Sequence, residues 1–194
     1  MSDLRQRLER ALGRKTGVSS DFDLNKDVVL PQVQLRPAAV LVAVRAESER
    51  VILTKRSARL KHHPGQIAFP GGKQDPDDAS LTAAALREAH EEVGLDPQQV
   101  QVLGCLPAHQ TVTNFNVTPV VGIVEGAFTA QPEAGEVGEV FEVPLAFLLD
   151  PSNYRIEGRR WQGRKRHYYA VPYGPYYIWG ATARILRGLA ERFQ

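Results

Sequence analysis

The stretch from Gly71 to Leu95, GGKQDPDDASLTAAALREAHEEVGL, restricts the fold more than any other part of the chain. Its second half is a run of good helix formers, Ala83-Ala84-Ala85-Leu86-Arg87, continued by Glu88, Glu91 and Glu92 and stopped at Gly94. At about 100° of rotation per residue, the three carboxylates fall within roughly a 100° arc of one helix face. Thr82, Leu86, Ala89 and Val93 take the opposite face. The pattern predicts a helix with one buried side and one side able to hold a cation. Before it, Pro70-Gly71-Gly72 follows the short apolar segment Gly65-Gln66-Ile67-Ala68-Phe69, so a strand passes through a glycine loop into the helix. Glycine there permits positive φ and a close approach of the backbone to a ligand.

Three carboxylates this close repel one another unless something neutralises them. Hard divalent cations that take oxygen ligands, Mg²⁺ first among them, fit an all-carboxylate cluster without cysteine, and Mg²⁺ commonly brings substrate phosphates with it. A solvated acidic face is the other reading of the helix taken alone. Other phosphate and acyl-transfer motifs are missing: there is no G-x-G-x-x-G and no G-x-S-x-G. Gly71-Gly72-Lys73-Gln74 lacks the spacing and the Ser or Thr of a P-loop.

These residues resemble the Nudix box, G-x5-E-x7-R-E-U-x-E-E-x-G-U with U aliphatic, whose members are typically Mg²⁺-dependent hydrolases of nucleoside diphosphates linked to another group. Arg87-Glu88-Ala89-His90-Glu91-Glu92-Val93-Gly94-Leu95 matches its second half, with Ala89 as a small U. The first half is one residue longer than the pattern. Counted forward from Gly72, Asp78 takes the place of the first glutamate; counted back from Arg87, Ala79 does. Upstream, Ile52 to Gly72 resembles the signature L-L-T-x-R-S-x3-R-x3-G-x3-F-P-G-G of the coenzyme A pyrophosphatase branch. Ile52 replaces a leucine, and Lys61 replaces an arginine that could bind a phosphate bidentately. The two motifs span about a quarter of the chain and are far more specific than a lone glycine pattern.

The resemblance implies an α/β fold, an α/β/α sandwich with a mixed sheet. It implies that Glu88, Glu91 and Glu92, with the Gly72 carbonyl, hold Mg²⁺ or alternatively Mn²⁺, and that Arg87 orients the glutamates. Lys55, Arg56 and Lys61 would bind phosphates, and Glu136 or Glu139 would supply the general base. The expected reaction cleaves the diphosphate of coenzyme A or a derivative to 3′,5′-ADP and 4′-phosphopantetheine. Two alternatives stand beside it: a Nudix hydrolase of another substrate such as ADP-ribose or a dinucleotide, and a non-catalytic nucleic-acid-binding module.

The rest of the chain is consistent with one domain, residues 1–194, with 1–35 as an N-terminal helix and lead-in and 36–194 as the core. Leu4, Leu8 and Leu12 mark a short amphipathic helix that packs on the domain or on a partner subunit, which leaves room for a homodimer. Thr16 to Pro37, with Val28-Val29-Leu30-Pro31, reads as irregular. The apolar run Ala38–Val44 and the segment Arg50–Arg56 read as a hairpin that delivers Lys55 and Arg56 to the site's edge. Adjacent His62 and His63 lack a zinc-like partner spacing. Further strands are expected at Val100–Pro107 and Val117–Val124. The loop His109–Asn116 between them is either a ligand contact or a surface turn, and Gln131–Glu142 reads as an acidic loop.

Pro144–Asp150 reads as a short helix. Tyr154–Tyr177 mixes basic and aromatic residues, and a hairpin turning at Gln162-Gly163, its aromatics facing the core, explains it more simply than base stacking. A final helix is expected within Trp179–Phe193. With 24 basic and 22 acidic side chains the net charge is +2, so no global charge argues for nucleic acid or membrane. The single cysteine, Cys105, reads as a small core residue and cannot form an internal disulfide. The N-terminus has no signal-peptide pattern and no stretch would span a bilayer, so the expected setting is the cytoplasm and the expected partner a small-molecule diphosphate.

Overall fold

The computed structural model describes residues 2–15, 17–25, 33–161 and 163–194. The elements begin with α1 (Ser2–Gly13), β1 (Ser19–Ser20), β2 (Arg36–Arg45), β3 (Arg50–Arg56), β4 (Ile67–Ala68), β5 (Gly71–Lys73) and α2 (Leu81–Val93). There follow β6 (Val100–Cys105), β7 (His109–Gln110), β8 (Phe115–Val124), β9 (Val137–Pro144), α3 (Leu145–Leu149), β10 (Arg155–Trp161), β11 (Arg164–Ala170) and α4 (Ala181–Glu191). Among the described residues nine strands form one sheet along the path β1-β7-β8-β2-β3-β4, with β5 on β2, β6 on β8 and β9 on β3. The sheet is mixed: β2 and β8 are parallel from Arg36 opposite Phe115 to Arg45 opposite Val124, while β3 and β9 are antiparallel.

The unbroken apolar run in β2 follows from its central place, because both faces of the strand are covered. Ala39, Leu41 and Ala43 meet Ala84, Ala85, Ala89 and Val93 of α2 on one side. Val42 and Val44 meet Leu4 and Leu8 of α1 and Leu186 and Leu189 of α4 on the other. The architecture is an α/β/α sandwich around a mixed sheet. Helix α2 starts at Ser80, whose hydroxyl accepts from the Ala83 amide at 3.1 Å. It ends at Gly94, with φ of 72°, where the Gly94 amide reaches the His90 carbonyl and the Leu95 amide reaches that of Ala89.

The expected β2–β3 hairpin is present but splayed: Val44 opposite Val51 is its one paired position. Below that point Ala38–Val40 pair with Gly71–Lys73 of β5, and Thr54 and Lys55 pair with β4. The glycine loop thus lies in the cleft between the parted strands. Gly71 has φ of 151°, and a side chain there would meet the Ala39 carbonyl and lie 2.6 Å from Val40 Cα.

Other expectations shift. A bulge between Val102 and Gly104 breaks the alternation of β6, so Cys105 is exposed, not a core residue. Thr16 and Lys26 to Gln32, and with them Val28-Val29-Leu30-Pro31, lie outside the described residues, as does Gln162 of the expected turn. Arg155–Trp161 and Arg164–Ala170 pair as the two strands of the expected hairpin, β10 and β11, and Tyr154 and Tyr169 pack against the core. Among the described residues no helix is long and apolar enough to cross a membrane.

Helix α1 packs on the sheet of its own chain. Leu4, Leu8 and Ala11 are buried, and Arg7 pairs with Glu49 at 2.9 Å. Arg192, only 4% exposed, donates to the carbonyls of Ala11 at 3.0 Å, Leu12 at 3.3 Å and Arg14 at 2.5 Å, and so caps the helix. Removing it leaves those carbonyls without the cation. Arg192→Ala is expected to lower unfolding free energy by about 2–3 kcal/mol in urea titrations, with faster amide exchange in α1 than in α2.

Candidate active site

Arg87 is the hub of the acidic helix face. Its Nε and Nη2 donate to the two oxygens of Asp78 at 3.0 and 2.9 Å, its Nη1 donates to Glu91 at 2.9 Å and Glu88 at 3.2 Å, and Nη2 also reaches the Lys73 carbonyl. The bond to Asp78 is the first cause that holds the guanidinium well above its ordinary value, and the same bond holds the Asp78 carboxyl below the usual range. Spacing left Asp78 and Ala79 as rivals for the first acidic position; the fork geometry selects Asp78, and Ala79 is exposed.

The three glutamates do not share one solvent-facing side. Glu91 is exposed and turned to Arg87. Glu92 is 6% exposed and lies in the buried stripe with Ala84, Ala85, Ala89 and Val93, whereas Thr82 and Leu86 are half-buried. Small alanines let α2 sit close to the sheet, and the Gly71 amide there donates to Glu92 Oε2 at 3.0 Å. Burial pushes the Glu92 carboxyl up to about 7, against the Gly71 amide, while Glu88 and Glu136 add negative field and Arg56 opposes it. Burial likewise raises Glu88, and Arg87 pulls it back.

Gly72 stands against Glu88. A Cβ at Gly72 would overlap the Glu88 carboxylate, so the missing side chain is the space that the carboxylate occupies. Among the described residues no three His, Cys, Asp or Glu side chains already stand as a metal cage, since Glu91 and Glu92 are turned to different partners. The donor set still fits a hard divalent cation: oxygen ligands only, with two carboxyls raised by burial beside each other.

Four residues share one electrostatic neighbourhood: Glu88, Glu92, Glu136 and Arg56. Arg56 sits half-buried at the end of β3, its backbone clamped by Gly65 and Gln66, and its Nε is buried with no hydrogen-bond partner among the described residues. Lys55 is exposed on β3, opposite Glu139. Lys61 is exposed in the loop beyond, and no hydrogen bond or ion pair among the described residues ties it to the cluster. Glu136 ends the 131–136 loop, its carbonyl accepting from the Ser57 amide at 2.8 Å.

Glu139 is not in a loop. It lies on β9 and accepts from Tyr176 Oη at 2.5 Å, and Tyr176 stacks on Phe141. The alternation of Phe141, Glu142 and Val143 carried the signal for that strand. Tyr176 belongs to no motif, and the Pro70-Gly71-Gly72 turn gave no sign that the Gly71 amide would bond to Glu92. His109, in the expected ligand loop, is fully buried and pins β1 through Ser19 at 2.9 Å and Asp21 at 3.0 Å.

A helix of carboxylates thus stands behind a glycine turn, on a mixed α/β/α sandwich, beside a cationic strand end. Known proteins resemble the chain. The model of the NUDIX domain matches residues 35–165. The protein named "Uncharacterized Nudix hydrolase NudL" of Enterobacter sp. (strain 638) is 47% identical over 156 residues, covering 80% of this chain and 81% of that one. Its namesake in Citrobacter koseri is 44% identical over 176 residues, covering 88% and 92%. Among solved structures, the NUDIX domain of Shewanella oneidensis NrtR, determined with ADP ribose, superposes with a TM-score of 0.53 at 18% identity over 87% of this chain and 96% of that one, a likeness of fold.

The chain belongs to the Nudix family. As a Nudix hydrolase it acts on the pyrophosphate bond of a small nucleoside diphosphate derivative, and such hydrolases generally use divalent cations, typically Mg²⁺.

The raised Glu92 carboxyl has a sign that can be measured in metal-free protein. Its value of about 7 lies above the ordinary 4.5, so the folded state binds the proton more tightly than the unfolded chain. That contribution is fully present below pH 4.5 and lost as pH rises through 7. Thermal melts in chelator should show wild-type stability falling by about 3 kcal/mol more across this window than that of Glu92→Gln, in which only the share of Glu88 remains.

Proposed function

We propose that the protein hydrolyses the diphosphate of coenzyme A or a close derivative to 3′,5′-ADP and 4′-phosphopantetheine. Arg56 carries this reading. Its guanidinium stands within the field of Glu92 with a buried Nε unspent, which suits an oxygen of a diphosphate lying across the carboxylate cluster. The same arginine takes a fixed position of the coenzyme A pyrophosphatase signature that Ile52 to Gly72 resembles. Lys55 extends the cationic edge on the same strand, and Lys61 supplies a further charge from the loop.

Glu88, Glu91 and Glu92, with the Gly72 carbonyl, would hold Mg²⁺, and Mn²⁺ would serve in its place. Bound there, the cation screens charge on the diphosphate and makes water more acidic. Arg87 keeps Glu91 and Glu88 in place through its bonds to both, anchored by Asp78. Glu136 takes the proton of the attacking water, because it alone of the two candidate bases shares the field of Glu88 and Glu92; Glu139 is engaged by Tyr176. Residues 1–194 act as one domain in the cytoplasm.

Product analysis by mass spectrometry tests this. Coenzyme A with Mg²⁺ should yield both products, and chelator should stop the reaction. Glu136→Gln should lower kcat by about 10²- to 10³-fold, and Glu139→Gln by less than about 10-fold. Turnover of ADP-ribose or dinucleotides with none of coenzyme A would refute the substrate and keep the family chemistry.

A further inference from the structure

The hairpin β10–β11 forms a two-stranded sheet of its own, paired among the described residues to no strand of the main sheet. Its root is fixed. Asn25 makes a reciprocal pair of bonds with the His167 backbone at 2.8 and 2.9 Å, Tyr169 packs on the core, and Tyr168 lies against Trp179. The root thus accounts for these tyrosines, and it leaves Arg155, Arg159, Arg160 and Lys165 exposed.

Register places Arg159 directly opposite Arg166 and Arg160 directly opposite Lys165. Like charges facing each other across strands weaken a hairpin. Arg155, Arg159, Arg160 and Lys165 are exposed, and among the described residues no carboxylate forms an ion pair with them. Glu157, the one acidic residue between 155 and 170, accepts from Tyr177 Oη at 2.5 Å. Arg166 is half-buried and lies over the Phe22 ring.

Strand alternation sends the exposed Arg155 and Arg159 to one face, which they share with Glu157 and with Arg166 over Phe22, and the exposed Arg160 and Lys165 to the other. We propose that this ribbon binds double-stranded DNA, seated in the major groove with phosphates on both sides. A membrane or a protein surface would cover one cationic face and leave the other in water. A groove bounded by two phosphate rows meets both, and the major groove, about 12 Å wide, admits a two-stranded β-ribbon. Ile156, 59% exposed, is too little apolar surface for the core of a protein interface.

The test is fluorescence anisotropy of a labelled DNA duplex with the full chain and with the triple variant Arg159→Gln, Arg160→Gln, Lys165→Gln, at about 50 and about 200 mM salt. Circular dichroism and thermal melting verify the variant's fold. Wild type should bind the duplex with affinity that falls steeply with salt. The variant should bind at least about tenfold more weakly, with a salt slope shallower by about one for each phosphate contact removed. Absence of duplex binding at the lower salt overturns the proposal, as does equal binding by the folded variant. Tighter binding of single strands, acidic protein or anionic vesicles than of duplex overturns it too.

Discussion

Glu92 puts a carboxylate on the stripe of α2 that otherwise buries alanine and valine against the sheet. Leaving an ionised carboxylate there without partners would cost several kcal/mol, so neighbouring groups are arranged around it. The Gly71 amide donates to one oxygen, and Arg56 faces it electrostatically from the end of β3. The approach that makes this bond requires glycine at 71, because any side chain would strike β2. It also requires alanines at 84, 85 and 89, because larger residues would lift α2 from the sheet.

The splayed hairpin follows from the same contact. If β2 and β3 paired along their length, β5 would have no edge on β2 and the Gly71 amide would not reach α2. Instead β3 takes β9 as its long partner and ends in a register shift between Lys55 and Arg56. That shift re-aims successive side chains. Lys55 stays in solvent, while Arg56 is half-buried next to the acidic cluster.

Much of the fold could be read from local pattern. Ala38–Val44 is too continuous for a half-exposed strand, and Ser80 and Gly94 bracket α2 with a hydroxyl acceptor and a left-handed stop. What failed was long-range. A helical wheel put Glu92 with Glu88 and Glu91 on an open face, because the wheel does not know where the sheet touches the helix. The loop of residues 74–80 has no periodicity, so counting could not choose between Asp78 and Ala79; the fork of Arg87 chose. Cys105 was placed in the core because its neighbours are apolar, and the bulge in β6 leaves it exposed. Glu139 looked like loop because acidic residues cluster there, yet pairing with β3 extends through it.

The Arg192 clasp joins residues 181 positions apart in the chain. At a synthesis rate of about 5–20 residues per second, α1 leaves the ribosome roughly 10–40 s before its cap exists. During that interval its leucines have neither α4 to pack on nor a cation for their terminal carbonyls. The helix layer over this face of the sheet therefore closes late in biogenesis, and the nascent chain exposes that apolar face for as long as translation of its last third takes.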